Sequence, residues 1–420
     1  MTKSSLNKLP LKSLFRLDTT SCLPASQPEQ AFLHHSIPAW DESGGPVVEL
    51  GNTIGSNKFL ISHACVLVSK LNPRKSRVSV VRDLHGEFPQ CASTEFMVYV
   101  PIHEDADIGF YSWYMKSECF QSELEKVATG TTNSHVRVTP KETLNWKIAH
   151  PPLPEQRRIA EILDTTDEAI QKTEALISKL KAMKQGLLHD LLTRGLDKNG
   201  KLRDPKAHPE KFKDSSLGRI PKGWVIQELG NATPKIQDGT HFSPKTTSGP
   251  FRYLTSKNIR FGHVDLSGCG WISEKEHEAI YSRCDVRYGD VLLTKDGANT
   301  GNAAINNLKE PVSLLSSVAF IRCDDRTLHS EYVFHYLLSP ECQQRIKDLM
   351  SGNAITRLTL ERIKSFVIPV LDIKEQLKII EPLNSHDAHI RAEGQYRDKL
   401  KLQKKGLMHD LLTGKVRVRV

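Results

Sequence analysis

Apolar residues recur at steps of three, four and seven through residues 155–193: Ile159, Leu163, Ile170, Ile177, Leu180, Leu187 and Leu191. Charged residues flank them. This spacing predicts one long helix with a narrow apolar seam, the pattern of a helix that pairs with another helix. Pro151, Pro152 and Pro154 block helix before it and suit its first turn, and Gly195 ends it. Thr166 and Thr173 interrupt the seam. At 1.5 Å per residue the helix would be roughly 55–60 Å long. A second stretch, 375–413, carries Ile379, Leu383, Ile390, Leu400, Leu407 and Leu411 in the same seam, with Gly414 beyond it. His386, Glu393 and Arg397 make its middle more polar, which predicts looser pairing there.

The two stretches are one sequence written twice. Glu155-Gln156 returns as Glu375-Gln376, and Gly186-Leu-Leu-His-Asp-Leu-Leu-Thr193 returns as Gly406-Leu-Met-His-Asp-Leu-Leu-Thr413, both at an offset of 220 residues. Asp167 meets Asp387 in that register. Familiar repeat families have far shorter periods, so this is a duplication with two similar halves, not a solenoid.

Short β-type runs fill the rest. Ala64–Ser69, Glu95–Val100, Asp290–Thr294 and Ser317–Ile321 read as strands, and 104–128 and 328–350 as helical. Asn133, Arg137 and Thr139 align with Asn353, Arg357 and Thr359 at the same offset. The expected organisation is a first domain at 1–150, a helix at 151–196, a linker by composition at 197–220, a second domain at 221–370, a second helix at 371–415 and a tail at 416–420.

Composition narrows the function. Net charge is +9 and the isoelectric point about 9.0, which favours a polyanionic partner. Eight cysteines stand singly, without metal-ligand spacing, so neither a zinc site nor a disulfide framework is indicated. No apolar run reaches the roughly 20 residues of a membrane span. Gly195–Leu202 nearly spells a phosphate-binding loop. However, Leu202 replaces the Ser/Thr and the segment follows a helix, so it reads as a polar turn. Asp372-Ile-Lys374 is a nuclease-like triplet that arises by chance. His189-Asp190 and His409-Asp410 are adjacent helical residues that point in different directions, not catalytic dyads. No S-adenosylmethionine motif appears, and no catalytic or metal-binding residue is assigned.

What remains is polar residues on loops. In the first half these are Asn57, Lys58, Lys70, Asn72, Arg74 and Lys75; in the second, Thr240, His241, Lys257, Asn258 and Lys295. Lys and Arg neutralise phosphates, and Asn, Arg and Lys read base edges. Two basic domains joined by long helices suit a long ligand touched at two places.

At these residues the chain resembles the specificity subunit of type I restriction-modification enzymes. The resemblance is carried by Pro151-Pro-Leu-Pro-Glu-Gln-Arg-Arg-Ile-Ala160, Gly186–Thr193, Gly218-Arg-Ile-Pro-Lys-Gly-Trp224 and Gly289-Asp-Val-Leu-Leu-Thr294. Asp238-Gly-Thr-His241, Thr255-Ser-Lys-Asn258, Ser36-Ile-Pro-Ala39, Ser69-Lys-Leu-Asn-Pro73 and Ser93-Thr-Glu-Phe96 add to it. The first half departs from the pattern: it lacks clear copies of the Ile-Pro-Lys-Gly-Trp and Asp-Gly-Thr-His segments. The resemblance implies an α/β (α+β) fold with two target-recognition domains separated by two long antiparallel helices, as a pseudo-twofold duplication. It further implies a non-catalytic, cytoplasmic subunit that binds double-stranded DNA at a bipartite asymmetric site. The helices would set the gap between half-sites and seat two methyltransferase subunits for adenine methylation, and restriction subunits would join them. S-adenosylmethionine, ATP and magnesium would belong to those partners, with no cofactor in this chain. Two readings compete: a standalone methyltransferase or nuclease, which would need motifs that are missing, and a coiled-coil adaptor that binds no DNA, against which the basic charge and the two β-rich domains argue.

Overall fold

The computed structural model describes residues 6–130, 136–351 and 357–419. The chain divides into two compact units, Met1–Glu174 with Gln395–Val420, and Ala175–Gly394. Each long helix therefore gives one end to each unit. Asn133 and Asn353 lie outside the described residues.

In the first unit a four-stranded antiparallel sheet runs in the order Phe15–Leu17, Phe96–Pro101, Cys65–Ser69, Val78–Val81. All five residues of Cys65–Ser69 are buried. Side chains alternate across a strand, and here both faces are covered. Val66, Val68, Met97 and Tyr99 pack on one face with Phe110, Trp113, Met115 and Phe120 from the helices Ile108–Lys116 and Glu118–Val127. Cys65, Leu67, Phe96 and Val98 pack on the other with Ile61 and Ala92. Those two residues come from a second sheet, ordered Ser21–Cys22, Lys58–Ile61, Gln90–Ser93, Ala31–His35, Val47–Leu50, in which the Gln90–Ser93 and Ala31–His35 pairing is parallel.

The second unit repeats the plan. Its antiparallel sheet is Lys235–Asp238, Val318–Arg322, Val291–Thr294, Ala303–Ile305. Val291, Leu293, Ala319 and Ile321 face the helices Ser330–Leu337 and Pro340–Ser351, while Leu292, Val318 and Phe320 face a three-stranded sheet. That sheet again holds one parallel pairing, Phe251–Leu254 with Val312–Leu314.

The long helices span Leu153–Arg194 and Ile373–Leu412. Of the seam residues, Ile159, Leu163, Ile170, Leu180, Leu191, Ile379, Leu383, Leu400 and Leu411 are buried, whereas Leu187, Ile390 and Leu407 are half-buried. Leu188 and Leu192 are buried as well, so the apolar face is wider than the seam. Seam and added residues together serve the domain cores: Ile159 and Leu163 pack with Leu411 and Leu412 in one unit, and Leu188, Leu191 and Leu192 with Ile379 and Leu383 in the other. Thr166 and Thr173 are accommodated because each hydroxyl donates to the carbonyl four residues back, at 2.8 Å.

Within the first unit the helix segments run antiparallel, with Asp167 on Lys404 and Glu174 on Lys401. In the second, Lys184 meets Asp387. Gly195 ends the first helix at a positive φ of 62°, and a Cβ there would lie 2.4 Å from both Trp224 and Glu375 side-chain atoms, so glycine is required twice over.

The 197–220 segment differs from a linker. Phe212–Ser215 and Gly218–Pro221 form a hairpin, Phe212 and Ile220 are buried, and Arg203 makes a two-pronged ion pair with Glu375. Its Lys, Asp and Gly content hid a few well-spaced apolar anchors. Of the expected tail, Arg417 is likewise tied down, gripping Glu155 at 2.6 and 2.8 Å.

Candidate nucleic-acid interface

Strand register gathers most of the loop residues at one end of each domain. In the first, Lys58 lies opposite Ser93, Phe96 lies opposite Ser69, and the Lys70 N–H donates to the Glu95 carbonyl at 2.9 Å. Residues 56–58, 69–72 and 93–96 therefore cluster where the chain passes from one sheet to the other, between Ser93 and Phe96. Arg137 joins them by gripping the Glu95 carboxylate at 3.0 to 3.2 Å.

The second domain does the same with different side chains. The Lys295 N–H donates to the Ser317 carbonyl, and the Leu358 N–H to the Lys295 carbonyl; in the first domain Val138 donates to Lys70 in the same way. Thr240 donates to Leu314, and the Ser256 N–H reaches Ser317 Oγ at 3.1 Å. Lys70 and Lys295 are thus counterparts. So are Asn72 and Gly297, two residues further on, which both take a positive φ, 47° and 95°. Asn tolerates that conformation better than other non-glycine residues.

Exposure divides the candidates. Asn57, Arg74, Lys75, His241 and Lys257 are exposed, and Lys70 and Asn72 are half-buried. Lys58, Thr240, Asn258 and Lys295 are buried. Lys58 turns back on Ser56, with Nζ 2.5 Å from its Oγ. Asn258 spends its side chain on its own loop, accepting from the Thr255 N–H and donating to the Asp265 carbonyl, both at 3.0 Å. Lys295 Nζ sits 3.1 Å from Asp238 Oδ2. These four do not present free polar groups to a duplex. Short polar side chains close on nearby backbone, and a buried lysine needs a partner.

Other charges are partly spoken for. Lys75 lies 2.8 Å from Asp41, which Arg77 also grips through two nitrogens at 2.8 and 2.9 Å. Hydrogen bonding from Arg77 holds the Asp41 carboxyl well below the usual carboxylate range. His241 lies 3.6 Å from Asp238.

Sequence reasoning missed Arg77, whose role depends on a residue 36 positions away. It also missed the exposed Phe242 beside His241, which carries no periodic signal. Gln156 and Gln376 were visible as part of the repeat but not as functional residues. Each is fully buried where a long helix begins. Gln156 accepts from the Asp107 N–H at 3.0 Å and donates to the Asp105 and Pro151 carbonyls, each at 2.8 Å. Gln376 does the same for His329, Thr327 and Leu371.

The helical motifs carry no dyad: His189 pairs with Glu341 and Asp190 with Arg194. Among the described residues no group of His, Cys, Asp and Glu is placed to hold a metal ion. No described helix is long and apolar enough to cross a membrane.

Comparison with known proteins places these features. The type I restriction modification DNA specificity domain matches residues 56–182 and 221–402. The type I restriction enzyme MjaVIII specificity subunit of Methanocaldococcus jannaschii is 26% identical over 315 residues, which span 74% of this chain and 70% of that protein. The EcoKI specificity subunit of Escherichia coli is 23% identical over 317 residues, 73% of this chain and 64% of that one. Among solved structures, the type I restriction-modification S subunit from M. genitalium superposes with a TM-score of 0.63 at 16% identity, covering 98% of this chain and 97% of that chain. A chain from a structural study of type I R-M complex assembly and conformational transition gives 0.57 at 20% identity, covering 98% and 99%. At such identities the structural likeness is one of fold.

Proposed function

We propose, from the premise that this chain belongs to the family of type I restriction-modification DNA specificity proteins, that each of its two recognition domains reads one half of a bipartite, asymmetric DNA site. The observation that carries this reading is the pair of equivalent loop clusters. The same backbone plan ends in Lys70, Asn72 and Arg74 in one domain and in His241 and Lys257 in the other. Equal scaffolds with unequal side chains suit two different half-sites.

In this reading the chain makes and breaks no bonds. Its long helices, about 60 Å each at 1.5 Å per residue, set the gap between half-sites and seat two methyltransferase subunits, which restriction subunits then join. S-adenosylmethionine for adenine methylation, and ATP with magnesium, act in those partners.

The test is replacement of residues 221–370 by the equivalent domain of a relative, in cells that also make the methyltransferase subunit. Methylated adenines are then mapped across the genome. One half-site should change and the other persist. A change in both, or in neither, would overturn the modular reading. A coiled-coil adaptor would leave the methylation pattern untouched.

A further inference from the structure

Lys70 and Lys295 occupy the same backbone position in the two domains, yet their surroundings differ. Lys295 comes from the end of Val291–Thr294 and Asp238 from the end of Lys235–Asp238, the two strands that flank Val318–Arg322. Their ion pair, at 3.1 Å, spans the end of that central strand, and the side chains are 10% and 2% exposed. The other oxygen of that carboxylate, Asp238 Oδ1, is buried as well and has no hydrogen-bond partner among the described residues. An ammonium so enclosed is already neutralised, and moving it to a phosphate would leave a buried carboxylate alone, a large penalty.

Lys70 has no such partner. The nearest acid along the shared backbone contact is Glu95, and Arg137 takes both of its oxygens. Among the described residues no carboxylate lies within ion-pairing distance of Lys70, and its side chain is half open to solvent.

We propose that the two equivalent lysines do different work: Lys70 neutralises a DNA phosphate, whereas Asp238 withholds Lys295, which clamps the second domain's recognition loops from within. This rests on the DNA-binding reading above. It assigns the second domain's phosphate contacts to its exposed cations, Lys257 first, and makes Asp238 and Lys295 positioning residues.

Counterion release gives the readout. Each phosphate neutralised adds about 0.9 to the steepness of log K against log salt. The complex of the full chain with its methyltransferase is titrated from low to moderate KCl with a duplex carrying the mapped site. Lys70→Ala should flatten the slope by about 0.9. The double variant Asp238→Asn with Lys295→Met, which removes both charges and strands neither, should keep the parental slope. A double variant as flat as Lys70→Ala, or a Lys70→Ala complex with the parental slope, overturns the proposal. Should the double variant fail to fold, Asp238→Asn alone decides. Release of the withheld lysine steepens the slope, and an unchanged or flatter slope counts against it. A parental complex that showed no site-specific binding would instead defeat the DNA-binding reading itself.

Discussion

Lys184 donates to both carboxylate oxygens of Asp387, at 2.6 and 2.7 Å, and the duplication writes the same pair again as Lys404 and Asp167. In each unit the pair links helix segments that run in opposite directions. Its energetic worth differs between copies because burial differs. The Lys184 and Asp387 side chains are 9% and 20% exposed, against 24% and 28% for Lys404 and Asp167.

Asp387→Ala should therefore destabilise the second unit by about 3 kcal/mol, since it strands a buried ammonium. Asp167→Ala should cost only about 1 kcal/mol, since water and salt screen the partner left behind. Urea unfolding measures both. The charge-reversed pair Lys184→Asp with Asp387→Lys should recover part of the loss. Equal, small losses at the two sites would remove the buried pair as a fixed point of helix register.

Gln156 and Gln376 join the start of each long helix to its own domain through the same three hydrogen bonds, and Gln156 Nε2 also reaches His150 Nδ1 at 3.5 Å. Replacing either by Ala leaves a backbone N–H and two carbonyls without the side-chain amide that bonds them, a loss of about 2–3 kcal/mol. The damage should be local. Amide exchange should accelerate around Asp107 in Gln156→Ala and around His329 in Gln376→Ala. Uniform acceleration across the chain, or none, would contradict the anchoring role.

His335 is fully buried and hydrogen-bonds Asn384 through Nε2 at 2.9 Å. Burial lowers its pKa from 6.5 to about 4, against the opposing pull of the Asn384 bond. The folded state therefore holds the ring neutral, while the unfolded chain takes up a proton near pH 6.5. Its contribution is full above pH 6.5, falls as the pH drops towards 4 and levels off below that. His277, in the same unit, is lowered in the same direction by burial. His335→Gln, which can still bond Asn384 but cannot charge, should flatten the second unit's stability profile between pH 6.5 and 4 without abolishing its slope. An unaltered profile would show that other groups govern acid stability there.

The first unit fills the equivalent place with Trp113, whose ring N–H donates to Asp164 at 2.8 Å. Asp164 stands at the 220-residue offset from Asn384. The duplication conserved the hydrogen bond while exchanging both partners, which no pairwise reading of the sequence would have matched.

The sequence by itself determined the elements whose signal is local. A helix repeats every 3.6 residues, so Ile159 to Leu191 announced it, and Gly195 with a positive φ ended it where expected. The 220-residue offset predicted two like halves because side-chain identities recur without a gap. The strands at Cys65–Ser69 and Val291–Thr294 were legible as continuous apolar runs, since both faces of each sheet are covered.

Which polar residues face solvent was decided only by tertiary structure. Lys58, Lys295, Asn258 and Thr240 look like surface chemistry in a list of residues, yet each is buried. A lysine's availability depends on whether a carboxylate such as Asp238, 57 positions away, arrives beside it on another strand. The folding of 197–220 turned on the same cause: Arg203 meets Glu375 across 172 residues. Local patterns fix the backbone's periodicity, whereas the electrostatic state of each side chain depends on partners that only the folded chain brings within hydrogen-bonding distance.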